Sequence, residues 1–394
     1  MSQFIPVVDE DVRTENGHFY APAFQVRIDG QNLPKNVLRD VTELKYIDGL
    51  TEIDRFEITV NNWDSDTRDF KFIGSKLETP LSRLFFPCEK TVEVKFGYAD
   101  HLLTMMLGNF TMMEPHFPAS GAPTLTVTGL NVLHQLRRKK YTTAWPDKTP
   151  GEIAENIKTL KDQGKARFPL PIKASEDAKA GPKLDYTAQT NQYDVDFLLN
   201  LARQHGYELI VQEADTEKGT PRQLYFGPGA TARAPVNYRL HWGRSLIEFQ
   251  PTITSHNQVK SVTVNGWDRH AQKAIKETID FSDKELKKLN ADLREFVQCD
   301  PREELVVDRP VFTREQARDM ARAILRDRAS SVIKARGSTV GLPELRAGTR
   351  VFVDDLGPRL SGEYLVTKTE HSFTDAGYIT HFEARREQIK GATG

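Results

Sequence analysis

The sequence predicts a β-rich α+β chain. It comprises two antiparallel β modules related by an internal repeat, a small α/β unit inserted between them, and a helical insertion in the second module. Three observations carry this. A strand-to-turn signature occurs twice, as Val60-Asn61-Asn62-Trp63-Asp64 and Val264-Asn265-Gly266-Trp267-Asp268, and tryptophan is rare, with four in 394 residues. Each copy is followed by the same succession of strands and turns. Between and within the copies, alternation gives way to helical spacing opened by capping residues.

The first module spans 1–144. Its alternating segments are Phe56–Val60, Thr91–Gly97, Gly108-Asn109-Phe110 with Thr111-Met112, and, after a turn at Pro118–Gly121, Leu125–Thr128. The second spans 236–394 and repeats the order with Val262–Val264, Thr349–Val353, Gly362-Glu363-Tyr364 with Leu365-Val366, a turn at Thr374–Gly377, and Tyr378–Phe382. The two glycine-led strands read as one motif, G-[NE]-[FY]. The second copy is longer between its tryptophan and that glycine, and the extra length, about residues 270–336, has helical periodicity. Ser282-Asp283-Lys284-Glu285 is a capping box ahead of Leu286, Leu289, Leu293 and Phe296. Thr313-Arg314-Glu315-Gln316 is another, ahead of Ala317, Met320, Ala321, Ile324 and Leu325. The outward arginines of that helix, Arg314, Arg318, Arg322 and Arg326, read as solvated surface or as packing against a partner.

The intervening unit, 145–235, opens with Thr149-Pro150-Gly151-Glu152, an N-cap followed by proline at the first helical position, with Ile153, Ile157 and Leu160 as the apolar stripe. Lys173–Lys183 reads as a loop. Asp194–His205 reads as a helix closed by Gly206, followed by a strand at Tyr207–Val211 with Leu224-Tyr225-Phe226 beside it.

Composition excludes several function classes. Lys plus Arg total 54 against 55 Asp plus Glu, which is not the balance of a nucleic-acid binder. Two cysteines, Cys88 and Cys299, exclude a disulfide framework and a multi-cysteine zinc site. No secretory signal opens the chain and no apolar run is long enough to span a bilayer, so synthesis in the cytoplasm and no membrane insertion are expected. The sequon Asn109-Phe110-Thr111 is then expected to stay unmodified.

The densest candidate chemistry lies in the last hairpin, Gly362–Glu387. With Asp375-Ala376-Gly377 in the turn, Phe373 faces Tyr378 and Glu370 lands beside His381, a pairing that could orient a base or a ligand. The same residues are ordinary hairpin material, and the matching hairpin of the first module carries one histidine, His116. Nucleophile-elbow, zinc-protease, C-x-x-C and Walker signatures are missing. Gly227-Pro228-Gly229-Ala230 reads as a turn, Arg137-Arg138-Lys139-Lys140 as a solvated segment end, Cys88 as inert, and Asp354-Asp355 as unremarkable in so charged a chain. The residues therefore point to no catalytic, cofactor-binding or metal site, and to an assembly component rather than an enzyme. A hydrolase built from scattered carboxylates, or a nucleic-acid module using Arg137–Lys140, are the alternatives.

Motifs spread along the chain resemble a known family. They are Val60–Asp64, Gln189-Thr190-Asn191 with Asp194, Asp196-Phe197-Leu198, Gly206-Tyr207, the helix from Thr313 to Arg328, and Gly362-Glu363-Tyr364, His371, Gly377–Thr380 and Phe382. In this order they resemble the baseplate hub proteins of contractile phage tails and related injection machines, the late control protein D family. They are also similar to the N-terminal hub part of VgrG-type spikes. The resemblance implies two tail-tube-like β-barrel modules per chain and a homotrimer whose six modules form a pseudo-hexameric ring. That ring would join a sixfold inner tube or tube-initiator protein to a threefold spike, among other baseplate proteins. It implies no cofactor. VgrG-type proteins continue into a repetitive spike that this chain lacks, so a separate spike protein is expected. A cell-wall or carbohydrate-active hydrolase of the tail tip is the alternative function.

Overall fold

The computed structural model describes residues 4–7, 21–76, 80–87, 90–99, 101–181, 183–214, 219, 221–228, 237–254, 258–283, 286, 302–308, 311–330 and 332–386. The first six long strands are β1 (Pro22–Ile28), β2 (Val41–Gly49), β3 (Arg55–Asn61), β4 (Thr91–Tyr98), β5 (His101–His116) and β6 (Thr124–Asn131). They pair in the order β2-β3-β6-β5-β4-β1, every pair antiparallel. Strict alternation decides which face each residue takes. In β3, Phe56, Ile58 and Val60 are fully buried while Arg55, Glu57 and Thr59 face outward. The inward set joins Leu44, Tyr46, Val94, Phe96 and Val127 in one apolar core.

The α/β unit follows. It contains β7 (Lys140–Lys148), α1 (Pro150–Thr159), β8 (Ile172–Ala174), α2 (Glu176–Ala180), β9 (Leu184–Tyr193), α3 (Asp194–His205), β10 (Glu208–Gln212) and β11 (Gln223–Gly227). Thr149 and Glu152 cap α1 reciprocally, and Gly206 ends α3 in the left-handed conformation at φ 67°. β10 and β11 pair antiparallel, Leu209 facing Phe226. The segment expected as a loop, Lys173–Lys183, contains the end of β8 and all of α2, because the Ser175 hydroxyl accepts from the Ala178 amide and starts a helix there. The core of this unit also takes Val132, Leu133 and Leu136, which precede the anticipated start at 145.

The third stretch comprises β12 (Asn237–His241), β13 (Leu246–Ile253), β14 (Ser261–Asp268), β15 (Lys273–Asp280), β16 (Glu303–Val306), α4 (Arg314–Ser330), β17 (Ile333–Val340), β18 (Arg350–Asp354), β19 (Gly362–Thr374) and β20 (Gly377–Arg385). Six of these pair in the order β13-β17-β20-β19-β18-β12, matching the first set strand for strand. The irregularities match too. The β2–β3 register skips Thr42 and the β13–β17 register skips Ile247. The β5–β6 register skips Thr111 and the β19–β20 register skips Thr367. Each of these threonines donates its hydroxyl to the strand opposite, Thr111 to Thr128 O at 3.2 Å and Thr367 to Glu383 O at 3.1 Å. A bulge keeps its place only where the surrounding backbone needs the same bend.

Three sequence-based expectations are corrected. The V-N-x-W-D echo is not the repeat: β3 is central in the large sheet, whereas β14 lies in a separate sheet ordered β15-β14-β16, and β17 takes the place of β3. What the two echoes share is local. Asp64 accepts from the Asp66 amide and Asp268 from the His270 and Ala271 amides, so each closes a strand with a side-chain-stabilised turn. Second, the match of Gly108 with Gly362 is two residues out. Counting back two from each skipped threonine, Asn109 and Leu365 are equivalent, and they face Thr91 and Arg350. A two-residue slip preserves inward and outward faces, so alternation could not reveal it. Third, not every pair is antiparallel, since β12 runs parallel to β18 and β14 parallel to β16.

The chain between β13 and β17 holds sheet as well as helix. Thr313 and Gln316 cap α4 reciprocally as anticipated, and Ala317, Ala321 and Leu325 pack on Val262 and Val264 of β14. The expected helix through Leu289, Leu293 and Phe296 lies outside the described residues, as do Cys88, Cys299, Gly229 and Ala230.

Candidate assembly surface

The last hairpin has the anticipated register: Phe373 faces Tyr378, Glu370 faces His381, and Gly377, at φ 113°, leaves the turn. Glu370 and His381 are cross-strand neighbours on the outward face but are not hydrogen-bonded to each other. They line an open groove of about 260 Å³ with Glu248, Gln250, Arg336, Lys368 and Glu383. Arg336 pairs with Glu383 at 3.4 Å and Lys368 with Glu52 at 3.4 Å, so charges of both signs alternate along this sheet face. The second histidine is inward and fully buried. His371 Nε2 donates to Leu345 O at 2.9 Å, and Nδ1 lies 2.8 Å from the Tyr378 hydroxyl and 3.1 Å from that of Thr380. A carbonyl on one nitrogen and two hydroxyls on the other suit a neutral ring with its proton on Nε2. Burial pushes the Tyr378 phenol well above its ordinary range, keeping it a donor.

His371 belongs to the joint between the two strand sets. β19 continues past β18 and pairs antiparallel with β2, from Lys368 opposite Gly49 to Phe373 opposite Leu44. Beneath this ladder Arg346 binds Asp48, Nε to Oδ2 at 2.8 Å, and its Nη2 donates both to the Tyr46 hydroxyl and to Met105 O. Asp48, 1% exposed, also accepts from the Thr369 hydroxyl and from the Ala347 amide at 3.3 Å. Burial disfavours the Arg346 cation, but the adjoining Tyr46 and Asp48 outweigh it and raise its pKa further above the guanidinium range. Tyr98 adds a second tie, donating to Gly341 O at 2.8 Å. The α/β unit is fastened to β5 by Glu213, which accepts from the Leu107 amide at 3.1 Å, and by Arg222, which donates to Leu107 O.

The sequence singled out none of Arg346, Asp48 or Tyr46. Arg346 and Asp48 are 298 residues apart, and nothing local marks either. The basic run it did single out is mostly occupied within the chain. Arg137 pairs with Asp196 at 2.8 Å and Lys139 with Asp162 at 3.1 Å, while Lys140 lies over the Tyr193 ring. The arginines of α4 clip it to neighbouring elements: Arg318 binds Glu277 at 2.9 Å and Arg322 binds Asp283 at 3.0 Å. Among the described residues no group of three His, Cys, Asp or Glu could hold a metal ion, and no helix is long and apolar enough to cross a membrane.

This fold is that of phage tail proteins and of a type VI secretion component. The chain is similar to the 43 kDa tail protein of prophage MuSo2 from Shewanella oneidensis, with a TM-score of 0.65 and 16% identity over 93% of this chain and 99% of that one. It is similar to the tail protein from Neisseria meningitidis MC58, with a TM-score of 0.62 and 14% identity over 94% and 98%. It is also similar to E. coli c3393, described as a type VI secretion component resembling the T4 tail proteins gp27 and gp5, with a TM-score of 0.55 and 13% identity over 93% and 78%. The chain belongs to the family described as the Alg8 N-terminal domain, whose model matches residues 20–375. No curated protein matches it.

Proposed function

We propose that this protein is a structural baseplate hub of the late control protein D kind, similar to the hub part of VgrG-type spikes. Three copies would close a ring of six quasi-equivalent, tail-tube-like barrel modules, with a sixfold inner tube on one face and a separate threefold spike on the other. The observation that carries this reading is the second strand set, which repeats the first in pairing order and at two bulges. Likeness in fold to tail proteins from two bacteria supports it. A duplicated module lets three identical chains present six similar surfaces, which is one way to pass from threefold to sixfold symmetry. In this reading the modules are 1–144 and 236–394, with 145–235 and the chain between β13 and β17 as insertions. The protein is made in the cytoplasm, takes no cofactor, binds no nucleic acid and catalyses nothing; during contraction it transmits force from tube to spike.

Light scattering on the purified chain tests the ring. A mass near three times the 44.7 kDa chain is expected, and a monomer at every concentration and in the presence of the spike would overturn the proposal. A peptidoglycan zymogram tests the absence of catalysis, since lysis by pure protein would favour the hydrolase alternative.

A further inference from the structure

Among the described residues the joint between β2 and β19 occurs once, and each of its strands has a counterpart whose outer edge carries no described strand. β13 is the counterpart of β2, and its described ladder is with β17 alone. β5 is the counterpart of β19, and beyond Asn109 its described ladder is with β6 alone. We infer that a second copy of this chain occupies these edges, with β13 of one copy pairing antiparallel with β5 of the next in the register of the internal joint. This deepens the hub reading and rests on it.

The register follows from the bulges. At the internal joint Leu50 N donates to Thr367 O at 3.1 Å, so by alternation the bonded pairs are Asp48–Thr369, Tyr46–His371 and Leu44–Phe373. Counting equal steps from Thr42 and Ile247, and from Thr367 and Thr111, turns these into Ile253–Met113, Pro251–Pro115 and Phe249–Phe117. All six replacements are apolar, where the internal joint has a buried carboxylate, a threonine, a tyrosine and a histidine. Ile253 is 44% exposed and Phe117 56% exposed, as isolated edges would leave them. Covering such a strip is favourable, at about 25 cal/mol per Å² of apolar surface.

The two prolines set the character of this contact. Asn62 N donates to Pro123 O at 2.9 Å, so Val60–Leu125 is a bonded pair and Leu125 turns its backbone to β3. Pro115, opposite Leu125, therefore presents its backbone to the open edge. Thr254 N donates to Val332 O at 2.9 Å, which by the same alternation leaves Pro251 facing outward too. Proline has no N–H to give, so both edges lack a donor at the centre of the contact. Association through these edges rests on apolar burial with an interrupted ladder, and each free edge resists arbitrary strand partners.

The test is a disulfide across a non-bonded pair, Glu114→Cys with Thr252→Cys, in full-length protein carrying Cys88→Ser and Cys299→Ser. Both positions are exposed, and the proposed register brings their Cα atoms close enough for a bridge. On mild oxidation, non-reducing gels should show linked multiples of the chain, with none from either single cysteine or from Glu114→Cys with Glu248→Cys. Ile253→Glu should weaken assembly at least tenfold by light scattering while leaving the circular dichroism unchanged. A trimer without the linkage, or with equal linkage from the shifted pair, would overturn this contact and leave the hub standing. A monomer without linkage at all concentrations would overturn both.

Discussion

The two strand sets share a backbone plan and differ in what surrounds it. Both have six strands in one pairing order with bulges at Thr42 and Ile247 and at Thr111 and Thr367. In the first set β2 is covered by β19 and buries Leu44, Tyr46, Ile47 and Asp48; in the second β13 stands at an edge and exposes Ile247 and Ile253. The first set receives its strand β1 antiparallel to β4, the second receives β12 parallel to β18. The comparison teaches that duplication preserves hydrogen-bond geometry longer than it preserves side chains. Alternation and bulges are fixed by the backbone, while the chemistry of a joint is free to diverge once one copy is internal and the other is an edge.

The largest expected effect lies at the internal joint. Arg346→Ala removes the partner of a buried carboxylate, and the loss should be about 3–5 kcal/mol in urea denaturation. A loss below about 1 kcal/mol would mean that the ladder alone holds the sets together. Next come the two tryptophan-containing turns. Asn62 is fully buried, accepts from the Phe72 and Ile73 amides at 2.9 and 3.2 Å and donates to Ile73 O at 2.9 Å. Its aligned partner is Gly266, where a Cβ would lie 2.3 Å from Val311 Cγ2 and 2.5 Å from Val311 O. Asn62→Gly and Gly266→Asn should each cost about 1–3 kcal/mol, the first from stranded amides and the second from overpacking. Tolerance of both exchanges would mean that neither residue is fixed by the contacts around it.

A smaller, sharper comparison uses the bulge threonines. Thr111→Ala and Thr367→Ala should each lose about 0.5–1.5 kcal/mol, the two values agreeing closely, since each removes one hydroxyl-to-carbonyl bond from the same bend. Clearly unequal losses would show that the second bulge has acquired another role. The smallest effect is electrostatic. Backbone amides hold the Asp64 carboxyl, and likewise the Asp268 carboxyl, below the ordinary value of 3.8. A lowered folded-state pKa stabilises fully above the unfolded value and fades as pH falls through the folded one. Acid titration followed by NMR should therefore find both carboxyls deprotonated below pH 3.8, and Asp64→Asn or Asp268→Asn should flatten the acid limb of stability.

Much of the fold was legible in local pattern. The caps at Thr149 and Thr313, the glycine after His205 and the register of the final hairpin depend on neighbours in sequence and appear where their residues require. The repeat was legible as a succession of strands but not in its members. Val264–Asp268 looks like Val60–Asp64 because both end a strand with the same aspartate turn, a local need that says nothing of which sheet receives the strand. The site was legible only in His371: Arg346, Asp48 and Tyr46 are ordinary residues until two distant strands are brought side by side.

By itself, then, the sequence determined the alternation of faces, the helix ends and the existence of two related β regions, because each follows from interactions a few residues long. Only the tertiary structure decided that β17 and not β14 answers to β3, that the glycine-led strands match two residues away from their glycines, and that β2 is sealed while β13, among the described residues, is an edge. Those are choices among strands with the same period of two. A ladder accepts any such partner, and only the packing of whole sheets, with Asp48 and Arg346 buried between them, selects one.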